Sequence, residues 1–288
     1  MFGIQLGVPL AGCVAAGLLY ASGMRRGLRP VGGPGPAARR MRRRRAVLFA
    51  LALATIVLAL ASPVDDYADQ LFWVHMGQHI LLVMVAAPLL VLSAPWMVLW
   101  RPFPLSARRW VARASVSGRG MAPLRPLLRP LPAWIAFNVV MWVWHAPVLY
   151  DLTLRNQAVH DLEHATFLVT GVLLWAQLVD SPPLHARLDE LGRGALALTT
   201  ILSSWFLALA LAFWPSPLYS HYAELAHRPG GISALTDQQL AAGMMWVPGS
   251  LPLSFAIFVL IYNFVGRDDR AVRHRPARVL ARPQEKGV

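Results

Sequence analysis

The sequence predicts an all-α protein, a polytopic transmembrane helical bundle of about seven spans. The first observation is composition: 56% of the 288 residues are hydrophobic and only 14% are charged, whereas a soluble domain carries about 25%. The second is a mean hydropathy of +0.48. The third is the arrangement of arginine, which is concentrated between the apolar runs. Together these observations exclude a water-soluble globular domain.

Seven apolar runs approach the length of about 20 residues that a helix needs to cross a bilayer. In chain order they are 3–23, 46–62, 72–93, 131–148, 158–179, 194–214 and 238–264. We therefore predict one transmembrane domain over 1–264 and a basic, disordered tail over 265–288. The first run has no basic segment before it and no small-residue cleavage site, so we expect a retained span and not a signal peptide.

Charge between the runs predicts their orientation. Nine arginines lie in 24–45, seven lie in 94–130, two lie in 180–193, and seven arginine or lysine residues lie in the tail. The remaining links hold only Arg155 and Arg228. Because basic links stay in the cytoplasm, the C-terminus is expected there and the N-terminus outside. The net charge of +13 then reflects contact with the lipid bilayer, and no nucleic acid partner is expected.

Two pairs of histidine residues lie at the predicted outer ends of apolar runs. His75 and His79 are four residues apart, which places both imidazoles on one helix face about one turn (~5.4 Å) from each other. His160 and His164 repeat the spacing, and His145 ends the fourth run on the same predicted outer side. Ionisable side chains at membrane depth are costly and usually face the bundle interior. We therefore predict that these imidazoles converge.

Converging imidazoles predict a metal site, since imidazole suits copper, zinc, iron and nickel. Met244, in the outer third of the last run, adds a thioether, a ligand that favours Cu(I). Asp237 and Glu163 are expected to orient the ligands, although Asp237 also fits ordinary helix capping. The single cysteine, Cys13, excludes an intramolecular disulfide and a CxxC copper motif. The predicted copper ligands are His75, His79, His145, His160, His164 and Met244.

Two other interpretations fit the same residues. The stretch from His160 through Glu163 to His164 matches H-x-x-E-H, in which two histidines bind zinc and the glutamate activates water. That pattern predicts an intramembrane zinc hydrolase. Alternatively, the histidines form hydrogen bonds only to tie the spans together, without any metal.

Four stretches carry a resemblance to a known family. They are 75–79 (HMGQH), 144–151 (WHAPVLYD), 160–167 (HDLEHATF) and 237–249 (DQQLAAGMMWVPG). In their order and spacing they resemble the CtaG-type cytochrome c oxidase assembly factors of bacteria. The residues at matched positions are His75, His79, His145, His160, His164, Asp237 and Met244.

The resemblance implies a multi-pass protein of the bacterial inner membrane that is not an enzyme. It implies a role in maturing a haem–copper oxidase by handling copper on the outer face. The expected partners are the subunits of that cytochrome c oxidase and a periplasmic or extracellular copper chaperone. Copper binding by the matched histidines is inferred from ligand chemistry, not from the resemblance.

Overall fold

A computed structural model describes residues 7–26, 35–116, 126–182 and 186–273. Within these ranges the protein is all-helical, and no strand occurs in them. The all-α fold class predicted from composition is therefore confirmed for the described part of the chain.

The described residues form fourteen α-helices. The helices are α1 (Gly7–Arg26), α2 (Pro36–Leu60), α3 (Pro63–Ala68), α4 (Phe72–Ile80), α5 (Ala87–Ser93), α6 (Trp96–Leu99), α7 (Leu105–Val116), α8 (Pro130–Trp144), α9 (Pro147–Arg155), α10 (Gln157–Leu178), α11 (Glu190–Phe213), α12 (Ser220–Ala223), α13 (Ala234–Trp246) and α14 (Leu251–Arg273). A π-helical segment, Leu81–Ala86, joins α4 to α5, and single 3₁₀ turns lie at Pro126–Leu128 and Pro229–Gly231.

Helix boundaries depart from the predicted links at two places. Helix α1 ends at Arg26 and helix α2 begins at Pro36, so residues 24–26 and 36–45 of the predicted arginine-rich link are helical. Helix α14 continues to Arg273, so the predicted tail begins as helix; residues 274–288 lie outside the described residues. Arginine is a good helix former, and its long side chain does not interrupt backbone hydrogen bonding.

Helix length and apolarity support fewer spans than the sequence predicts. Within the described residues, three helical stretches are long and apolar enough to cross a membrane, namely Phe72–Ser93, Glu190–Phe213 and Ala234–Gly266. Helices α8 and α9 make a fourth if the pair is one span, bent by 75° at its break. The predictions of seven spans and of the orientation of the termini go beyond this finding.

The π-helical segment that follows α4 is also hydrogen-bonded to α10. In it the Ala87 N–H donates to the Leu82 carbonyl, five residues back. In this register the Val83 carbonyl would accept from residue 88, but Pro88 has no N–H. The indole of Trp175 on α10 donates to that carbonyl instead, at 2.8 Å. An irregularity inside the membrane is thus satisfied by a neighbouring helix, as the absence of water there requires.

Helix α10 approaches this segment closely because of Gly171. A Cβ at that position would lie 3.3 Å from the Ala87 Cβ and 3.4 Å from the Val83 Cα. Small residues at such crossings let helix backbones come together in a membrane. The Gly171 contact and the Trp175 hydrogen bond therefore determine how α10 lies against the chain that carries His75 and His79.

We predict that Trp175→Phe destabilises the fold by about 1–3 kcal/mol, because it leaves the buried Val83 carbonyl without a donor. The measurement is denaturant unfolding of the full chain in detergent. Trp110→Phe is the matched control, since Trp110 is exposed on α7 and a surface change costs about 0.5 kcal/mol or less. Equal unfolding midpoints for the two variants would contradict the prediction.

Candidate metal centre

The helix that carries His75 and His79 is capped by a residue distant in sequence. Helix α4 begins after Leu71, whose side chain cannot accept a hydrogen bond. The carboxylate of Asp237 accepts from the Phe72 N–H at 2.9 Å and from the Trp73 N–H at 3.1 Å. A negative charge at a helix N-terminus is favoured by both the free N–H groups and the helix dipole. Asp237 therefore determines where α4 starts.

Asp237 does not cap its own helix. Ser233 performs that role for α13 by accepting from the Thr236 N–H at 3.0 Å. The Asp237 carboxylate also lies 3.7 Å from the guanidinium of Arg228, which is itself largely buried. Neither sequence-based alternative, orienting a histidine directly or capping α13, describes this contact. Asp237 positions the whole histidine helix through its backbone.

Helix α10 presents the second histidine pair in its first turns. Asn156 caps the helix by accepting from the N–H groups of Ala158 and Val159. His160 follows within the first turn, and Glu163 and His164 follow one turn later. The 3.6-residue period places these three side chains on the face that packs into the bundle, and all three are buried.

Five side chains from α4 and α10 converge, and we name them the histidine–glutamate cluster: His75, His79, His160, Glu163 and His164. His75, His160, Glu163 and His164 each offer one ligand atom within 4.8 Å of the others. His79 joins them, with its Nε2 atom 3.1 Å from His75 Nε2 and 3.6 Å from Glu163 Oε1. The predicted meeting of the four imidazoles is therefore present in the structure.

Several polar atoms of the cluster lack hydrogen-bond partners. Within the described residues, His160 Nε2, His164 Nε2 and both carboxylate oxygens of Glu163 are buried and unpartnered. The nearest imidazole nitrogen to Glu163, on His75, is 3.5 Å away, which is long for a hydrogen bond. Leaving a buried polar atom unpaired costs about 1–3 kcal/mol. Such an accumulation is what a bound cation would relieve.

Glu163 has a more central place than the sequence suggested. The sequence predicts that it orients a ligand, yet its carboxylate is fully buried and faces the Nε2 atoms of both His75 and His79, at 3.5 and 3.6 Å. A carboxylate among imidazoles can itself be a metal ligand. The geometry thus groups Glu163 with the histidines.

His145 and Met244 lie apart from the cluster. The His145 ring centre is 6.3 Å from that of His79, and its Nε2 atom faces the sulfur of Met76 at 3.4 Å. Met244 is half-buried at the edge of the main core. Its neighbour Met245 is the one that lines the cavity shared by His79 and His145.

The sequence pattern does not predict the aromatic side chains that surround the cluster. Tyr150 packs on His75 with ring centres 5.2 Å apart, and Phe167 packs on His79 at 4.4 Å. The hydroxyl of Tyr222 lies 3.4 Å from His75 Nδ1 and donates to the Ala68 carbonyl at 2.6 Å. Phe167 follows His164 by three residues and was detectable from helical spacing, but no local signal points to Tyr222.

An acidic side chain lies at the end of the bundle that carries the cluster. Asp65, between α2 and α4, accepts from the Gln78 amide at 2.8 Å. The same amide group donates to the Ala59 carbonyl at 2.7 Å. Burial raises the pKa of Asp65 above its ordinary value, and the Gln78 hydrogen bond opposes that rise. Gln78 thereby ties α4 to α2 and to the Asp65 carboxylate.

A small cavity adjoins the cluster. It has a volume of about 50 Å³ and is lined by His79, His145, Phe167 and several methionines. A water molecule needs roughly 10–15 Å³ by the same measure, so this space holds a few waters or an ion. A peptide or other extended substrate does not fit.

A family model described as cytochrome c oxidase caa3 assembly factor (Caa3_CtaG) matches residues 18–267. The chain is 27% identical over 92% of its length to uncharacterized proteins of Mycobacterium bovis and Mycobacterium tuberculosis, and 24% identical over 91% to one of Mycobacterium leprae. It spans 40% of the length of each of these curated relatives. No solved structure matches the chain.

We predict that Asp237→Ala destabilises the fold by about 1–3 kcal/mol, because two N–H groups of α4 lose their acceptor and Arg228 loses the carboxylate beside it. Denaturant unfolding in detergent measures the change. Asp66→Ala is the control, since Asp66 is exposed and its carboxylate caps no other helix. A midpoint for Asp237→Ala that equals the control would contradict the cap.

Proposed function

The chain belongs to the family of cytochrome c oxidase caa3 assembly factors, and from this premise we propose that it holds copper and delivers it to a maturing haem–copper oxidase. The copper is cargo, and the histidine–glutamate cluster is its binding site. In this proposal the protein is an assembly factor and not an enzyme.

One observation carries the proposal: buried donor atoms of the cluster face one another without hydrogen-bond partners. His160 Nε2, His164 Nε2 and the Glu163 carboxylate are all lone-pair donors to a cation. Their ligand atoms and one from His75 lie within 4.8 Å of one another. Burying such groups away from water costs free energy unless they are hydrogen-bonded, ion-paired or bound to a metal. A bound cation supplies the missing partner for all of them at once.

Ligand chemistry favours copper among the candidate ions. Neutral imidazoles with one carboxylate suit Cu²⁺, Zn²⁺ and similar ions, and Cu²⁺ binds such donors most tightly of the divalent first-row series. Calcium and magnesium are disfavoured because they require oxygen ligands. The family is described as an assembly factor of cytochrome c oxidase, and we propose delivery to a haem–copper oxidase. For this reason we propose copper, and not zinc, as the delivered ion.

The zinc hydrolase alternative receives no support from the site. His160, Glu163 and His164 are fully committed to the buried cluster, with His75 and His79 packed against the carboxylate. The adjoining cavity of about 50 Å³ leaves no room for a substrate beside a metal-bound water. Catalytic zinc needs an open coordination position that a substrate can reach.

The position of the cluster suits exchange with other proteins. His75 and His160 lie in the first turns of α4 and α10, so the cluster is near one end of the bundle. By the distribution of arginine, that end faces away from the cytoplasm in a multi-pass inner-membrane protein. There we propose that it meets the oxidase subunits and a periplasmic or extracellular copper chaperone.

We predict that His164→Ala and Glu163→Gln each lower the copper affinity of the purified full chain by about tenfold or more, since the first removes a ligand nitrogen and the second replaces a charged carboxylate by a neutral amide. Competition titration and metal content per chain are the measurements. His227→Ala is the matched control, because His227 is exposed in the link before α13. Copper binding that is unchanged in both cluster variants contradicts the proposed site.

The same variants separate copper binding from a purely structural role. If the histidines only tie α4 to α10, the variants unfold more easily, and wild-type protein binds no copper. If they bind copper, added copper raises the unfolding temperature of the wild type, because a ligand that binds only the folded state stabilises it. The stabilisation should be lost in Glu163→Gln, whose side chain keeps the shape of glutamate.

We predict that a bacterial strain lacking this protein assembles oxidase with less copper per haem. Complementation with the wild-type chain or with His227→Ala restores the copper, and complementation with Glu163→Gln does not. The measurement is copper and haem content of the purified oxidase, with membrane levels of each variant determined in parallel. Full copper content in the deletion strain would exclude the proposed delivery role.

A further inference from the structure

A second contact between metal-ligand atoms lies beside the histidine–glutamate cluster. The Nδ1 atom of His145 is 2.7 Å from the Met141 carbonyl. A carbonyl only accepts hydrogen bonds, so Nδ1 carries the proton and donates. In the neutral ring, Nε2 then presents a bare lone pair. That lone pair faces the thioether sulfur of Met76 at 3.4 Å, and both side chains are buried.

With Nδ1 protonated, the lone pairs of His145 Nε2 and Met76 Sδ face each other and form no hydrogen bond. Neutral imidazole nitrogen and thioether sulfur are both acceptors here, and neither supplies a hydrogen. A second proton, on Nε2, would let the ring donate to the sulfur, but it would also give the buried ring a positive charge. Within the described residues no carboxylate lies within ion-pair distance of His145 to balance that charge. A soft cation bound to both atoms satisfies the contact directly.

The surroundings of this contact are rich in sulfur. Four of the ten methionines of the chain, Met76, Met84, Met141 and Met245, line the small cavity beside His145. None of the described residues that line it is an aspartate, a glutamate or a cysteine. Thioethers select Cu(I) over divalent ions, which prefer harder ligands. The cavity therefore differs in kind from the cluster on α4 and α10.

We propose that His145 Nε2 and Met76 Sδ form a second binding site, specific for a soft monovalent cation such as Cu(I). The thioethers of Met141 and Met245 lie on the same cavity and complete its lining. This inference rests on the proposed copper-handling function and adds to it a second position and an oxidation state.

The observed separation fits two bonds to one ion without rearrangement. Nitrogen and sulfur ligands bind such ions at about 2.0 and 2.3 Å. With the two atoms 3.4 Å apart, those lengths correspond to an angle of about 100° at the ion. This value lies close to a tetrahedral angle and leaves room for further ligands from the cavity.

His79 connects the two sites. Its Nε2 atom lies in the histidine–glutamate cluster, 3.1 Å from His75 Nε2, and its ring lines the cavity that holds His145. The ring centres of His79 and His145 are 6.3 Å apart. An ion can therefore pass between the sites by exchanging ligands at His79, without crossing an apolar gap. The soft site then provides a position for Cu(I) before or after it occupies the cluster.

The test is X-ray absorption spectroscopy of the purified full chain loaded with Cu(I), compared with Met76→Leu. Wild type is expected to show copper–sulfur scattering, and Met76→Leu is expected to lose most of it and to bind Cu(I) about tenfold or more weakly. Leucine nearly conserves the volume of methionine, so the fold should survive the change. Met97→Leu is the matched control, because Met97 is exposed on α6.

Zinc titration of the same samples distinguishes failure of the second site from failure of the histidine–glutamate cluster. Zn²⁺ binding at the histidine–glutamate cluster should be unchanged in Met76→Leu, which also demonstrates folding, and should be lost in Glu163→Gln. Cu(I) scattering from nitrogen alone in the wild type, or sulfur scattering that Met76→Leu leaves intact, overturns the second site. Absence of Zn²⁺ and Cu(II) binding in the wild type, with copper–sulfur scattering retained, instead overturns the cluster as a copper site and leaves the soft site standing.

Discussion

The burial of Glu163 between the imidazoles of α4 and α10 is the constraint on which the rest of this structure depends. A carboxylate removed from water and left without hydrogen bonds is costly, so the two helices that enclose it must be held in place by other contacts. Three contacts do this: the Asp237 cap on α4, the Trp175 hydrogen bond to Val83 and the close approach at Gly171. All lie outside the cluster. These contacts offset the free-energy cost of holding the unpaired donor atoms of the cluster close together, as expected for a preorganised candidate site.

Two kinds of ligand are separated in space by a few ångströms. The cluster combines imidazoles with a carboxylate, whereas the neighbouring cavity combines His145 with thioethers. Hard and soft donors favour different oxidation states of copper, so under the proposed function the two environments would suit different steps of copper handling. His79 borders both. If the chain delivers copper as proposed, two adjacent sites that share His79 would let the ion leave, whereas a closed structural site would hold it.

Much of the architecture could be predicted from the chain itself. Composition and apolar runs predict the helical class and place most helices, because burying an apolar helix in lipid depends on length and hydropathy alone. The i,i+4 spacing of His75 with His79 and of His160 with His164 puts each pair on one face for purely local reasons. Extension of α2 and α14 into basic segments was missed, since arginine is compatible both with a solvated link and with a helix.

What the sequence by itself determined is which residues carry candidate donor atoms, the helices on which they lie and the helix face on which each histidine pair lies. Only the tertiary structure decided which donors meet. Glu163 joins the imidazoles, His145 turns to Met76, Met245 lines the cavity, and Asp237 caps α4 across a separation of 165 residues. The physical reason is that helical periodicity fixes direction around one axis, whereas the distance between atoms on different helices depends on crossing geometry, close contacts such as Gly171 and caps supplied from far along the chain.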